Sequence, residues 1–104
     1  MKSENSVFDI KIETDVNNIV NIYITGELSF TTVPVAYDQT KNCFNKGQDI
    51  QVNLNDVRRT DSAAMALILE WSRLAKTFNT RLKLNNIPDM LQKIASVSDL
   101  EELL

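Results

Sequence analysis

The sequence predicts an α/β domain with a mixed sheet of four to five strands and helices packed against it. Short segments in which apolar and polar residues alternate are typical of half-buried strands, and longer segments with a helical period of apolar residues separate them. The order of these segments is β-β-α-β-α-β-α. Strand–helix–strand connections favour parallel neighbours with right-handed crossovers, whereas a short turn between the first two strands favours a hairpin. With 104 residues and 43% hydrophobic content the chain can bury one core, so we predict a single domain over residues 1–104.

The predicted strands are short and bounded by turn-forming residues. In the first strand, Phe8, Ile10 and Ile12 alternate with charged residues, and the Asp and Asn residues after it favour a turn. Gly26 is predicted to end the second strand, and the polar segment 56–60 is predicted to be a loop after the third. The four strands are predicted at residues 7–14, 19–25, 49–55 and 81–85.

Capping residues and prolines mark the starts of the helices. Two threonines precede Pro34, and a hydroxyl there can accept from the free amides of a first helix. Asp61 and Ser62 precede the second and most strongly apolar helix, while Ser98 has the capping-box spacing of a last short turn. The helices are predicted at residues 33–45, 62–78 and 88–96, and Leu100, Leu103 and Leu104 are predicted to close the core.

The helix predicted at residues 62–78 has two different faces at 100° per residue. The apolar residues on one side are enough to pack against the core. On the opposite side, the first two turns form a small, weakly polar patch with Glu70 and Arg73 on its rim. Two interpretations are open: the patch lies under a neighbouring loop, or it docks another protein. The core face comprises Ala64, Leu67, Ile68, Trp71, Leu74, Ala75 and Phe78, and the patch comprises Ser62, Met65, Ala66 and Leu69.

Ser62 also has two interpretations. A serine at a helix start most often caps the free amides, although Asp61 beside it is the stronger candidate for that role. Alternatively, its hydroxyl is exposed at the positive end of the helix, where an added phosphate would find a favourable dipole and place about two negative charges inside a docked interface.

The composition excludes most kinds of enzyme site. There is no histidine, and a single cysteine, Cys43, can form neither an internal disulfide nor a thiolate zinc site, so it is predicted to be a small core residue. Two glycines cannot build a phosphate-cradling loop, and a net charge of −3 argues against nucleic acid as a partner. The longest apolar run, 63–69, is too short to span a bilayer, and from the polar residues before the first strand we expect no signal peptide. We therefore expect a cytoplasmic, non-catalytic protein with no metal, no cofactor and no direct membrane insertion.

Several segments in order resemble STAS domains. These are Gly26-Glu27-Leu28-Ser29 after the second strand, Asn53-Leu54-Asn55-Asp56-Val57 in and after the third, and Asp61-Ser62-Ala63-Ala64 at the helix start. The segments 28–34 (LSFTTVP), 61–71 (DSAAMALILEW) and 97–104 are similar to the STAS subunit of the Mla branch in particular. Three positions depart from the pattern: Ala64 replaces a glycine, Met65 replaces a leucine, and Ser29 stands where antagonists usually carry Asp.

The resemblance implies a STAS fold and a non-catalytic accessory role in a phospholipid-transport ABC complex that maintains outer-membrane lipid asymmetry. The implied partner is the ABC ATPase subunit (MlaF-like), with the permease and lipid-binding subunits as indirect partners at the inner face of the inner membrane. The alternative is an anti-sigma-factor antagonist regulated by phosphorylation of Ser62 by a kinase. The residues predicted to bind the partner are Asp61, Ser62, Met65, Ala66, Leu69 and Arg73.

Overall fold

A computed structural model describes residues 8–97 of the chain and shows a four-stranded sheet with helices on one of its faces. The predicted element order and the mixed α/β class are confirmed. The elements are β1 (Phe8–Thr14), β2 (Val20–Leu28), α1 (Val33–Thr40) with a 3-10 turn at Lys41–Cys43, β3 (Ile50–Thr60), α2 (Ser62–Thr77), β4 (Leu82–Asn85) and α3 (Asp89–Val97). The predicted closing turn from Ser98, with its three leucines, lies outside the described residues.

The strands lie in the order β1-β2-β3-β4, with β1 antiparallel to β2 and the other pairs parallel. The predicted hairpin joins β1 and β2, and Asp15 shapes its turn by accepting hydrogen bonds from the amides of Asn17 and Ile19. Asn18 adopts a φ of 64°, a left-handed conformation that asparagine tolerates well. The turn and the alternation therefore set the hairpin register, in which Ile10 lies opposite Ile24.

Two predicted strand ends are wrong. Gly26 does not end β2, because the register shifts there and its φ of 91° lets the strand bend and continue to Leu28. The extended β2 offers backbone partners to the segment 56–60, which was predicted to be a loop but forms the end of β3. Leu28 pairs with Thr60, so β2 and β3 finish side by side at the same end of the sheet, where α1 and α2 begin.

The core lies between the inner face of the sheet and the helices. On β2 and β3 every second side chain of the alternating pattern is buried there, as the period of two predicts. Trp71 of α2 and Thr40 of α1 are both fully buried, and the Trp71 indole Nε1 donates to Thr40 Oγ1 at 2.8 Å. Thr40 Oγ1 in turn donates to the carbonyl oxygen of Ala36 at 2.7 Å. The two helices are thus joined by a polar link inside an apolar core.

The helix predictions need smaller corrections. α1 ends at Thr40 instead of residue 45 and continues as the 3-10 turn, and Phe44 after that turn is buried. The Thr32 hydroxyl does not cap α1; it donates to the carbonyl oxygen of Glu27 instead. Phe78, predicted in the core, lies beyond the end of α2 and is 43% exposed. Cys43 is half-buried against the core, and burial raises the pKa of its thiol.

Candidate functional site

The start of α2 is fixed by the side chain of Asp61. This residue is extended, and its Oδ1 accepts a hydrogen bond from the amide of Ala63 at 2.9 Å. Its Oδ2 accepts from the amide of Phe30, which lies 31 residues earlier in the chain, at 3.2 Å. Asp61 is therefore the cap, as predicted, and it also ties the loop between β2 and α1 to the start of α2.

Ser62 is the first residue of α2 and is exposed. Because Asp61 provides the cap, the Ser62 hydroxyl is not needed for it, and within residues 8–97 this hydroxyl forms no hydrogen bond. The first-turn amides and the helix dipole give this end of α2 a partial positive charge. The position is open to a partner or to a modifying enzyme.

One face of α2 continues from Ser62 over three turns. Ala66 is exposed, Leu69 keeps 41% of its surface in solvent, and Arg73 forms an exposed ion pair with Glu70 at 2.7 Å. A shallow depression of about 250 Å³ lies beside Leu69 and Arg73, lined also by Ser72 and Lys76. Four of the residues predicted to bind the partner, Ser62, Ala66, Leu69 and Arg73, thus lie together on this face.

Met65 was predicted on this exposed face, and that placement is wrong. It is 3% exposed and belongs to the core cluster. The buried stripe of α2 is wider than the helical wheel indicates, because α2 packs against α1 and α3 as well as the sheet. The long, unbranched side chain of Met65 reaches that core from the flank of the helix. It supports the surface from below and is not part of it.

Phe30 is a residue of this surface that the sequence analysis did not select. Its side chain is 72% exposed, although aromatic side chains are usually buried, and its backbone amide is bonded to Asp61. The available signal was an aromatic residue between a serine and two threonines, in the loop that leads into the helix predicted at residues 33–45. We define the docking surface as Phe30, Asp61, Ser62, Ala66, Leu69 and Arg73.

A network of hydroxyl groups holds the loop that carries Phe30. Glu27 Oε2 accepts from Ser29 Oγ at 2.5 Å and from Thr31 Oγ1 at 3.2 Å, and the amide of Ser29 donates to Thr32 Oγ1 at 2.9 Å. The hydrogen bond from Ser29 lowers the pKa of Glu27, and this effect is larger than that of desolvation, which raises the pKa. Glu27 is therefore ionised near neutral pH, where its carboxylate accepts both hydrogen bonds from the loop. Ser29 is itself 7% exposed.

Over residues 8–97 there is no group of three His, Cys, Asp or Glu side chains that could hold a metal ion. In the same range no helix has the length and apolar character needed to cross a membrane. The arrangement at the start of α2 is suited to contact with another protein through one hydroxyl, a charged rim and two exposed apolar side chains.

Comparison with known proteins places this arrangement in a family. A family profile described as "Mlab, STAS domain" matches residues 14–104, which is most of the chain. The chain belongs to this STAS family.

Proteins similar to this STAS chain include anti-sigma factor antagonists. An anti-sigma-B factor antagonist of Bacillus subtilis is 23% identical over 87 residues, which cover 84% of this chain and 80% of that protein. The unphosphorylated anti-sigma factor antagonist SpoIIAA matches with a TM-score of 0.71 and 22% identity, covering 91% of this chain and 84% of the other. An antagonist from Mycobacterium paratuberculosis matches with a TM-score of 0.78 and 14% identity, covering 97% and 86%. At these identities the solved structures show the shared fold.

Proposed function

We propose that this STAS domain is a non-catalytic binding subunit that contacts a partner protein through the docking surface. The observation that supports this is that Phe30, Ser62 and Leu69 are all exposed, the first on the loop bonded to Asp61 and the other two on the outer face of α2. Two segments distant in sequence form the surface, and Asp61 joins them. Exposed apolar groups surrounded by charged ones are typical of protein interfaces.

The first candidate partner is the ATPase subunit of an Mla-type phospholipid ABC transporter. The family description, which refers to Mlab and covers residues 14–104, favours it. In this role the chain would lie in the cytoplasm at the inner face of the inner membrane, supporting assembly and activity of the ATPase and, through it, outer-membrane lipid asymmetry. The Glu70–Arg73 pair would lie on the rim of the interface, where exposed charges affect orientation more than affinity.

The second candidate is an anti-sigma-factor antagonist controlled by phosphorylation of Ser62. The relatives named above favour this second candidate over the first. The Bacillus subtilis relative is an anti-sigma-B factor antagonist, and SpoIIAA has structures in unphosphorylated and phosphorylated forms. The exposed Ser62 at a helix N-terminus fits the same chemistry, because a phosphate there gains from the dipole. Ser29, in place of the antagonists' usual Asp, is the site residue that fits this candidate less well.

Copurification with the tagged full chain from its native host distinguishes the candidates. An ABC ATPase and its permease in the eluate support the first, and an anti-sigma factor with phosphate on Ser62 by mass spectrometry supports the second. Recovery of neither, with the chain folded by circular dichroism, contradicts both.

Variants of the chain test the docking surface itself. Leu69→Glu and Phe30→Ala are expected to weaken binding of the recovered partner about tenfold or more, because exposed apolar anchors carry much of the energy of an interface. Val16→Glu is the matched control: Val16 is 99% exposed in the hairpin turn, at the opposite end of the sheet. Equal affinities for Leu69→Glu, Phe30→Ala and Val16→Glu would rule out this surface.

A further inference from the structure

The outer edge of β1 is a second surface, separate from the docking surface. Among the described strands β1 pairs with β2 alone, so within residues 8–97 the N–H and C=O groups on one side of its backbone have no strand partner. The strand is seven residues long, and no proline interrupts it. Such an edge is a template for another strand unless its side chains oppose the pairing.

The side chains of β1 are divided sharply between the two faces of the sheet. Phe8, Ile10 and Ile12 lie on the helix side, opposite Gly26, Ile24 and Ile22 of β2. Phe8 and Ile10 are only partly covered by the core, and Ile12 is 41% exposed. A partly exposed apolar stripe thus runs along the edge strand.

The opposite face of β1 carries charges of alternating sign. Asp9, Lys11 and Glu13 lie on the open face of the sheet, and Lys11 pairs with Glu13 at 3.0 Å. The Lys11 and Glu13 side chains are 69% and 49% exposed. Any strand that adds to this edge must place complementary charges along that row and apolar side chains along the other.

We propose that β1 pairs with β1 of a second copy of this chain, antiparallel and centred on Ile10. In this register each Asp9 faces Lys11 of the other copy, which gives two opposite-charge pairs on the open face. On the helix side each Phe8 faces Ile12 of the other copy, and the two Ile10 side chains face each other. The two sheets become one continuous eight-stranded sheet, with both helix layers on the same face.

Other registers also keep the apolar side chains on the helix side and the charged side chains on the open face, but they are less favourable. Centring the pair on Lys11 places the two lysines against each other and Asp9 against Glu13. Centring it on Ile12 also gives two opposite-charge pairs, Lys11 against Glu13, but it places Asp9 against Asp15 of the hairpin turn at both ends, so it adds two like-charge pairs that the register centred on Ile10 does not have. Like charges directly opposite one another destabilise a sheet, so the charge pattern selects the register centred on Ile10.

A charge-exchange experiment on the full chain tests the register. We expect sedimentation equilibrium to show a reversible dimer, and each of Asp9→Lys and Lys11→Asp to raise its dissociation constant about tenfold, because each converts two attractive pairs into repulsive ones. An equimolar mixture of the two variants is expected to dimerise as the unmodified chain does, since every facing pair is then of opposite sign. Lys83→Glu on β4, on the same open face, is the control and is expected to leave dimerisation unchanged.

The mixing result separates this register from any other mode of association. A chain that is monomeric over the whole concentration series would overturn the proposal, as would a dimer that both variants leave intact. Failure of the mixture to restore dimerisation, with both variants folded by circular dichroism, would also overturn it. Loss of partner binding in the docking-surface variants does not bear on this test, since β1 contributes no residue to that surface.

Discussion

Replacing Thr40 by Val is expected to destabilise the chain through one buried hydrogen bond. Thr40 and Trp71 are both fully buried, and the Trp71 indole donates to Thr40 Oγ1 at 2.8 Å. Valine has nearly the same shape but no acceptor, so the indole N–H is left buried without a partner. An unsatisfied buried donor costs about 1 to 3 kcal/mol, and each kcal/mol lowers the unfolding midpoint by about 4 to 8 °C in a domain of this size.

A double-mutant cycle isolates that hydrogen bond from the change in packing. Thr40→Val, Trp71→Phe and the double variant are compared by urea denaturation followed by circular dichroism. The loss in free energy of unfolding caused by Thr40→Val is expected to be at least about 1 kcal/mol smaller in the Trp71→Phe background than in the chain with Trp71, because no indole N–H is then left without a partner. Thr40→Ser keeps the hydroxyl and is the control for loss of the methyl group. Equal costs of Thr40→Val in both backgrounds would refute the reasoning.

Three further predictions concern Met65, Glu27 and Cys43. Met65→Ala is expected to lower the free energy of unfolding by about 2 to 5 kcal/mol, as for a core residue. Leu69→Ala is expected to change it by less than about 1 kcal/mol, the scale of surface substitutions. Chemical denaturation of both variants decides whether Met65 is a core residue. The pKa of Glu27 is lowered in the folded chain, so its ionised form stabilises the fold above the ordinary carboxyl pKa, and this contribution is lost as the pH falls through the lowered value. Denaturation at neutral and acidic pH is therefore expected to show a smaller acid loss for Glu27→Gln, and an identical loss would contradict the role of the Ser29 hydrogen bond. Because burial raises the pKa of Cys43, its thiol is expected to react with a disulfide reagent at neutral pH more slowly than free cysteine and to accelerate in denaturant.

The fold was predictable where local pattern and tertiary contact agree. Alternation in β1 and the Asp-Asn turn give the hairpin, and the cap at Asp61 marks the start of α2. The end of β3 was not predictable in this way, because residues 56–60 are polar and become a strand only through pairing with the bulged end of β2. Parallel pairing between strands joined by a helix leaves no signal in a local window of sequence.

The candidate site was predictable in part for similar reasons. A helical wheel places Ser62, Ala66 and Leu69 on the exposed side of α2, and the structure agrees. The wheel cannot show that the buried part of α2 extends to Met65, because it describes one helix by itself and not a helix packed against others. Phe30 could not be selected by periodicity, since it lies in a loop and reaches the site only through its hydrogen bond to Asp61.

The bond between Asp61 and Phe30 also sets when the docking surface exists during folding. The β1–β2 hairpin needs only local contacts and can form early, but Asp61 reaches the loop only after the α1 crossover has brought β3 beside β2. Non-local contacts of this kind are made late, because the entropy of closing the intervening chain is lost first. A chain that has stalled at the hairpin presents Phe30 without Ser62 beside it. A partner that needs both segments at once therefore recruits only chains that have completed their fold.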